Sequence, residues 1–184
     1  MLSLLIYLDK QLTIFLNHLL PDNIFLHNFF SFFSFIGTSI FIWVIFLILI
    51  VFFEEKAHPG ISKKDKKFII IFTLTIFFSF LTTEVFLKNL IRRPRPFYQI
   101  QNLKLKIQNY PKDFSFPSGH STIVFAAATI LSFFDKKRRF IYFTIASIVA
   151  YSRLYLGVHY FLDIVGGGII GILIGNFIYK FFNF

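Results

Sequence analysis

The chain has 184 residues, of which 56% are hydrophobic and 21% aromatic, with 30 Phe among them; this exceeds what a soluble core of that size can bury, and an ordinary soluble domain is excluded. The formal charge of +10 would suggest nucleic-acid binding in a soluble protein, but the Lys and Arg residues sit mostly between apolar blocks, so a lipid head group and not nucleic acid is the polyanion to expect. No Cys is present, which excludes disulfide and thiolate chemistry.

The first segment, Met1 to Leu20, has no basic start ahead of its apolar run and no small-residue cleavage site, so it does not read as a cleaved signal peptide. Asp9, Lys10 and Gln11 interrupt it, and residues 1–22 are expected to form an interfacial amphipathic helix, a short extra span being the alternative. Crossing the hydrocarbon core takes about 20 mostly apolar residues. Five segments meet or approach that length: Phe29–Phe53, with a soft point at Gly37-Thr38-Ser39; Phe68–Leu87; Ser121–Phe134, which must borrow length from its flanks; Phe140–Val158; and Ile164–Phe182. Connections are short and no repeat is present. The expectation is one all-α domain over residues 1–184, a polytopic membrane helical bundle of five to six transmembrane helices.

Orientation follows from the loops. Glu54–Lys67 carries five lysines, and Asp135–Arg139 carries four basic residues in five. Alternating helices put both on one side, which the positive-inside rule makes cytoplasmic. The opposite, extracytoplasmic side then receives Lys88–Gly119, with seven basic residues against the single acid Asp113, and the turn around His159 to Asp163. Topology gains nothing from so much positive charge on a translocated loop, so a ligand on that face is expected to use it.

Three short stretches meet there: "KNLIRRPRP" (Lys88 to Pro96), "FPSGH" (Phe116 to His120) and "SRLYLGVHYFLD" (Ser152 to Asp163). Arg153 lies in an apolar segment, where a guanidinium calls for an anionic partner. Lys88, Arg95 and Arg153 can surround a tetrahedral dianion. Ser118 and Gly119, at a helix start, offer backbone N–H groups to the same anion. His159 and Asp163 are four residues apart, one helical turn, so the carboxylate can hold one ring nitrogen and leave the other to attack phosphorus. His120 can then protonate the departing oxygen and later activate water. A metal site of His120, His159 and Asp163 is the alternative; the surrounding Lys and Arg would repel a divalent cation, so neither metal nor cofactor is expected. Arg92 and Arg93 read as solvated or lipid-facing anchors, contact with a second phosphate being the alternative. Glu84, one turn before Lys88, is placed to pair with it. Gly167, Gly171 and Gly175 have the spacing of a tight helix seam.

The motifs resemble those of the type 2 phosphatidic acid phosphatase superfamily of membrane lipid phosphate phosphatases. Lys, six residues, Arg-Pro matches Lys88 to Arg95-Pro96; Pro-Ser-Gly-His is Pro117 to His120; and Ser-Arg, five residues, His, three residues, Asp matches Ser152, Arg153, His159 and Asp163. Many members have Pro where this chain has Phe161, and many have an extra amino-terminal span. The resemblance implies His159 as nucleophile, Asp163 as its orienting partner and His120 as general acid. It implies Lys88, Arg95, Ser118, Gly119 and Arg153 as phosphate ligands, and no metal. The expected activity is removal of phosphate from a lipid phosphate or diphosphate at the outer face of a bacterial cytoplasmic (inner) membrane. Undecaprenyl diphosphate is the first substrate to test; phosphatidylglycerol phosphate, phosphatidic acid and lipid A compete with it. The rival readings are a head-group phosphotransferase and a non-catalytic anionic-lipid binding or transport protein.

Overall fold

The long apolar runs fold as helices, the form in which a segment satisfies its backbone groups by itself. The computed structural model describes residues 2–38, 62–101, 103–104 and 110–182. The elements are α1 (Leu2–His18), α2 (Ile24–Thr38), α3 (Lys63–Phe80), α4 (Lys88–Ile91), α5 (Gly119–Phe134), α6 (Arg139–Tyr155) and α7 (Phe161–Phe181), with a π-helical segment, Leu81–Leu87, joining α3 to α4. No strand occurs among the described residues. The helical run Lys63–Tyr98 and helix α7 are long and apolar enough to cross a membrane. Among the described residues these are two, and Ile24–Phe35 and Gly119–Phe134 are shorter apolar helices.

The helix ends follow local chemistry rather than the edges of the apolar blocks. The segment expected from Phe68 begins at Lys63, because the Ser62 hydroxyl caps it by accepting from the Asp65 amide and Asp65 stands in the first turn. The segment expected over Phe29–Phe53 begins at Ile24; its part beyond Thr38, and Glu54–Ile61 of the first basic loop, lie outside the described residues. Helix α6 stops three residues short of Val158. Gly157 takes a left-handed φ of 76°, its N–H donates to the Leu154 carbonyl and the Val158 N–H to that of Arg153. This closing motif favours glycine and turns the chain toward His159.

Helix α5 is the central element. Ile123, Ala127 and Ile130 pack with Phe72, Ile71 and Ile76 of α3 and Ile178 of α7. Its other side places Val124 and Ala128 against Ala146 and Val149 of α6. Against α7 the contact is backbone-close, as the glycine spacing predicts. A Cβ on Gly167 would lie 2.6 Å from the Ser118 carbonyl oxygen, and one on Gly175 would lie 2.9 Å from Thr129 Cβ. Ring contacts Phe68–Phe134 at 5.0 Å and Phe133–Tyr179 at 3.9 Å mark the end of the bundle that also carries Lys63–Lys67 and Lys136–Arg139. The three motifs gather at the other end.

Helix α1 crosses the motif end instead of running down the bundle. Asp9, Thr13 and Asn17, four residues apart, form a buried polar stripe, while Leu4, Leu5, Leu8, Leu12 and Phe15 on its remaining surface are exposed. The stripe bonds to the end of α6, the start of α7 and the loop residue Lys104. The polar side of the helix faces protein and its apolar side is exposed.

Candidate active site

The motif end encloses a cavity of about 280 Å³ lined by Lys88, Arg95, Gly119, His120, Arg153 and His159, with Glu84 and Asp113 at its edge. Each of the expected site residues is buried. A larger groove of about 650 Å³ lies between α3 and α7, but Leu74, Phe78, Leu173 and Phe177 make it apolar and no titratable group lines it.

The cations arrive from separate elements. Lys88 sits in α4, and its ammonium donates to Glu84 Oε2 at 2.8 Å and to Asp113. Arg95 follows the turn made by Arg92, whose φ of 51° ends the helix in a left-handed conformation. Its Nη2 donates to Asp113 Oδ1 at 2.6 Å, its Nε to the Asp113 carbonyl at 3.0 Å and its Nη1 to the Val158 carbonyl at 2.8 Å. Arg153, in the last turn of α6, donates to the Ser34 hydroxyl of α2, while its Nε has no hydrogen-bond partner among the described residues. Burial alone would raise the Asp113 carboxyl, but the hydrogen bond from Lys88 and the charges of Arg95 and Lys88 bring it down to about 2.

The helix start at "PSGH" divides its labour. Ser118 is the N-cap of α5, its side chain accepts from the Ser121 amide, and its own N–H donates to the Asp163 carbonyl at 3.0 Å. The expectation that Ser118 offers a free backbone donor is therefore corrected for this structure: capping and the bond to α7 occupy it. Gly119 is the member of the pair that borders the cavity. An added Cβ there would collide with the Glu84 carboxylate, so the missing side chain keeps the helix start open to an anion. The His120 Nε2 is buried without a hydrogen-bond partner among the described residues.

His159 lies outside any helix, two residues before α7, so its relation to Asp163 is not the helical turn that the spacing suggested. Asp163 is the third residue of α7 and accepts from the Tyr160 backbone N–H at 2.9 Å, forming a capping box. That bond folds His159 back so that its Nδ1 lies 3.4 Å from Asp163 Oδ2, off-line for a hydrogen bond. Its Nε2 lies 3.3 Å from Arg95 Nη1. Burial, and then the Arg95 and Arg153 guanidiniums, hold the imidazole well below its ordinary value, which keeps it neutral with Nε2 accepting from Arg95 Nη1.

Asp163 has more partners than the sequence suggested. The Ser115 hydroxyl donates to its Oδ2, and Arg93 Nη1 donates to its Oδ1 at 2.6 Å. Arg93 is thus no solvated or lipid-facing anchor; it also donates to Asp9 and lies 3.9 Å over the Tyr160 ring. Arg92, in contrast, is exposed. Sequence reasoning passed over Asp9, Thr13, Asn17 and Ser115. The one signal available was the four-residue spacing of three polar residues in an otherwise apolar helix.

The family model for the PAP2 superfamily matches residues 66–184. A lipid A 4'-phosphatase of Porphyromonas gingivalis is 30% identical over 144 residues, which is 75% of this chain and 60% of that protein. An undecaprenyl-diphosphatase of Sulfolobus acidocaldarius is 30% identical over 132 residues, covering 71% of this chain and 59% of that protein. The chain thus spans less than two thirds of either relative. The crystal structure of Aquifex aeolicus LpxE superposes with a TM-score of 0.72 at 29% identity, covering 92% of this chain and 93% of that one. With this match over its carboxyl-terminal two thirds, the chain belongs to the PAP2 superfamily.

Proposed function

We propose that the protein is an integral membrane phosphatase that removes phosphate from a lipid phosphate or diphosphate through a phosphohistidine on His159. The observation that carries this reading is the position of His159 Nε2, 3.3 Å from Arg95 Nη1, in a cavity that Lys88, Arg153, Gly119 and His120 also line. A group that only binds phosphate needs no neutral imidazole aimed into its cations.

Lys88, Arg95 and Arg153 hold the phosphoryl oxygens and stabilise the charge spread over them in the transition state. The Nε2 lone pair forms the bond to phosphorus as the bond to the leaving oxygen breaks, and His120 gives that oxygen its proton. The Asp163 carboxylate stabilises the proton on Nδ1 as the ring becomes positive. In the second half His120 takes a proton from water, the hydroxyl attacks phosphorus, and the P–N electron pair returns to Nε2. The same cations repel a divalent metal, so phosphate release is metal-independent.

The lipid tail stays in the bilayer while its head group enters the motif end. Helices α2, α3, α5, α6 and α7 form five spans, and α1 lies at the interface. The basic residues Lys63–Lys67 and Lys136–Arg139 put the other end in the cytoplasm, so the site faces the outside of a bacterial cytoplasmic membrane. Undecaprenyl diphosphate is the first substrate we assign, with lipid A, phosphatidylglycerol phosphate and phosphatidic acid completing the panel. The test is phosphate release by purified protein from these four lipids with EDTA present. Wild type releases phosphate from at least one, and His159→Ala lowers kcat by about 10³-fold or more while lipid binding persists. Absence of release by wild type from every lipid overturns the phosphatase reading, and equal loss of binding and turnover in the variant overturns the covalent mechanism.

A further inference from the structure

Helix α1 is tied to the third motif by more polar contacts than its apolar sequence calls for. Asn17 Nδ2 donates to the carbonyls of Leu154 and Tyr155 at 2.9 and 3.1 Å, in the last turn of α6. Thr13 Oγ1 accepts from the Phe161 N–H at 3.0 Å, and Asp9 Oδ1 from the Leu162 N–H at 2.9 Å, two of the donors that the start of α7 leaves free. The loop that carries His159 is therefore fastened on both sides by one helix. Asp9 Oδ2 also accepts from Arg93 Nη2, whose Nη1 holds Asp163. The Arg93 carbonyl accepts from the Ser115 N–H at 2.8 Å, and Ser115 in turn donates to Asp163.

We propose that Asp9 and Arg93 are positioning residues of the reaction centre: Asp9 holds the Arg93 guanidinium between two carboxylates, and so fixes Asp163 for His159. This rests on the phosphatase reading above. The charges give the sharing a purpose. One cation between two buried carboxylates leaves an excess negative charge, so Asp163 keeps charge to offer His159 as the ring turns positive during attack. With Asp9 neutral, Arg93 pairs with Asp163 alone and cancels what His159 needs. The guanidinium is suited to this because its two terminal nitrogens reach both acids at once, which an ammonium cannot do in fixed geometry.

The experiment uses the full chain in lipid nanodiscs, with Asp9→Asn, Arg93→Lys, Arg93→Gln, the double variant Asp9→Asn/Arg93→Gln, and Gln11→Ala on the exposed side of α1 as control. Measurements are kcat and KM for the best lipid of the panel, the thermal midpoint, and amide hydrogen exchange of residues 156–163. The Asn oxygen can still accept from Leu162, so Asp9→Asn preserves the fold. Expected are a kcat lower by about ten- to hundredfold in Asp9→Asn and Arg93→Lys, KM within about twofold and an unchanged thermal midpoint. Exchange speeds up only in 156–163, and the double variant is no slower than Arg93→Gln alone. Wild-type kcat in Asp9→Asn, additive losses in the double variant, or a kcat loss that tracks the thermal midpoint would each overturn the proposal. If wild type releases no phosphate, the phosphatase reading falls, and the exchange comparison decides the positioning role: unchanged exchange in Asp9→Asn overturns it.

Discussion

Asp113 pairs with two of the cations to which the proposed function gives the phosphate. Its carboxylate bridges Lys88 and Arg95 at the cavity edge, so an entering phosphoryl group must displace it. The strength of that competition follows from its titration. Bringing the carboxyl from 3.8 to about 2 corresponds to about 2 kcal/mol of preference for the charged form. The side chain is 41% exposed, and solvent screening reduces this to about 1 kcal/mol. The group's folded value is lowered, so its contribution is complete above 3.8 and is lost as pH falls toward about 2; at neutral pH the acid always competes. Asp113→Asn keeps the backbone carbonyl that Arg95 Nε reaches at 3.0 Å but removes the charge. The expected result is a KM lower by about fivefold with kcat unchanged, read from phosphate release by a short-chain phosphatidic acid at pH 7. An unchanged or raised KM would refute the competition and make Asp113 a support for Arg95.

Two further outcomes follow from the geometry. His120→Ala costs about a hundredfold in kcat with an alkyl phosphate, whose leaving oxygen needs a proton, and under about tenfold with a nitrophenyl phosphate, whose does not; equal losses would remove His120 from the proton path. Gly171→Ala drives a methyl into the Thr122 carbonyl oxygen and to 3.0 Å from the Ala126 nitrogen of α5. Net of the better helix propensity of Ala, it costs about 1–2 kcal/mol in thermal unfolding, whereas Gly119→Ala, which meets only the movable end of Glu84, costs less.

That the three motifs meet was legible in the sequence because they are short and carry their own local geometry. Pro-Ser-Gly-His is a cap, and Gly157 is a stop signal placed two residues before His159. Lys88, Arg95, His120, Arg153 and His159 accordingly meet in one cavity. What escaped was the layer behind them. Asp9 looked like an interruption of an apolar run and Arg93 like an anchor, because pairing across 84 residues leaves no local periodicity. The engagement of the Ser118 N–H escaped for a related reason: helix position identifies a donor, but the neighbour that takes it, the Asp163 carbonyl, lies on another helix. The span count stayed open because the polar residues Asp9, Lys10 and Gln11 left the first segment between an interfacial helix and a sixth span.

The glycine seam between α5 and α7 has a mechanical consequence. Gly167 meets the Ser118 carbonyl and Gly171 the Thr122 and Ala126 backbone, a close approach that joins His120 at the head of α5 and Asp163 at the head of α7 in a single frame. Lys88, Glu84 and Asp113 belong to the π-helical segment, α4 and the loop beyond, which meet that frame through long side chains. Of the cavity cations, Arg153 belongs to α6, which packs on that frame, while Lys88 and Arg95 lie on the segment outside it. In the proposed reaction, admitting a bulkier head group would fall to the Lys88–Asp113 side of the cavity, while the seam keeps His120 and Asp163 in register.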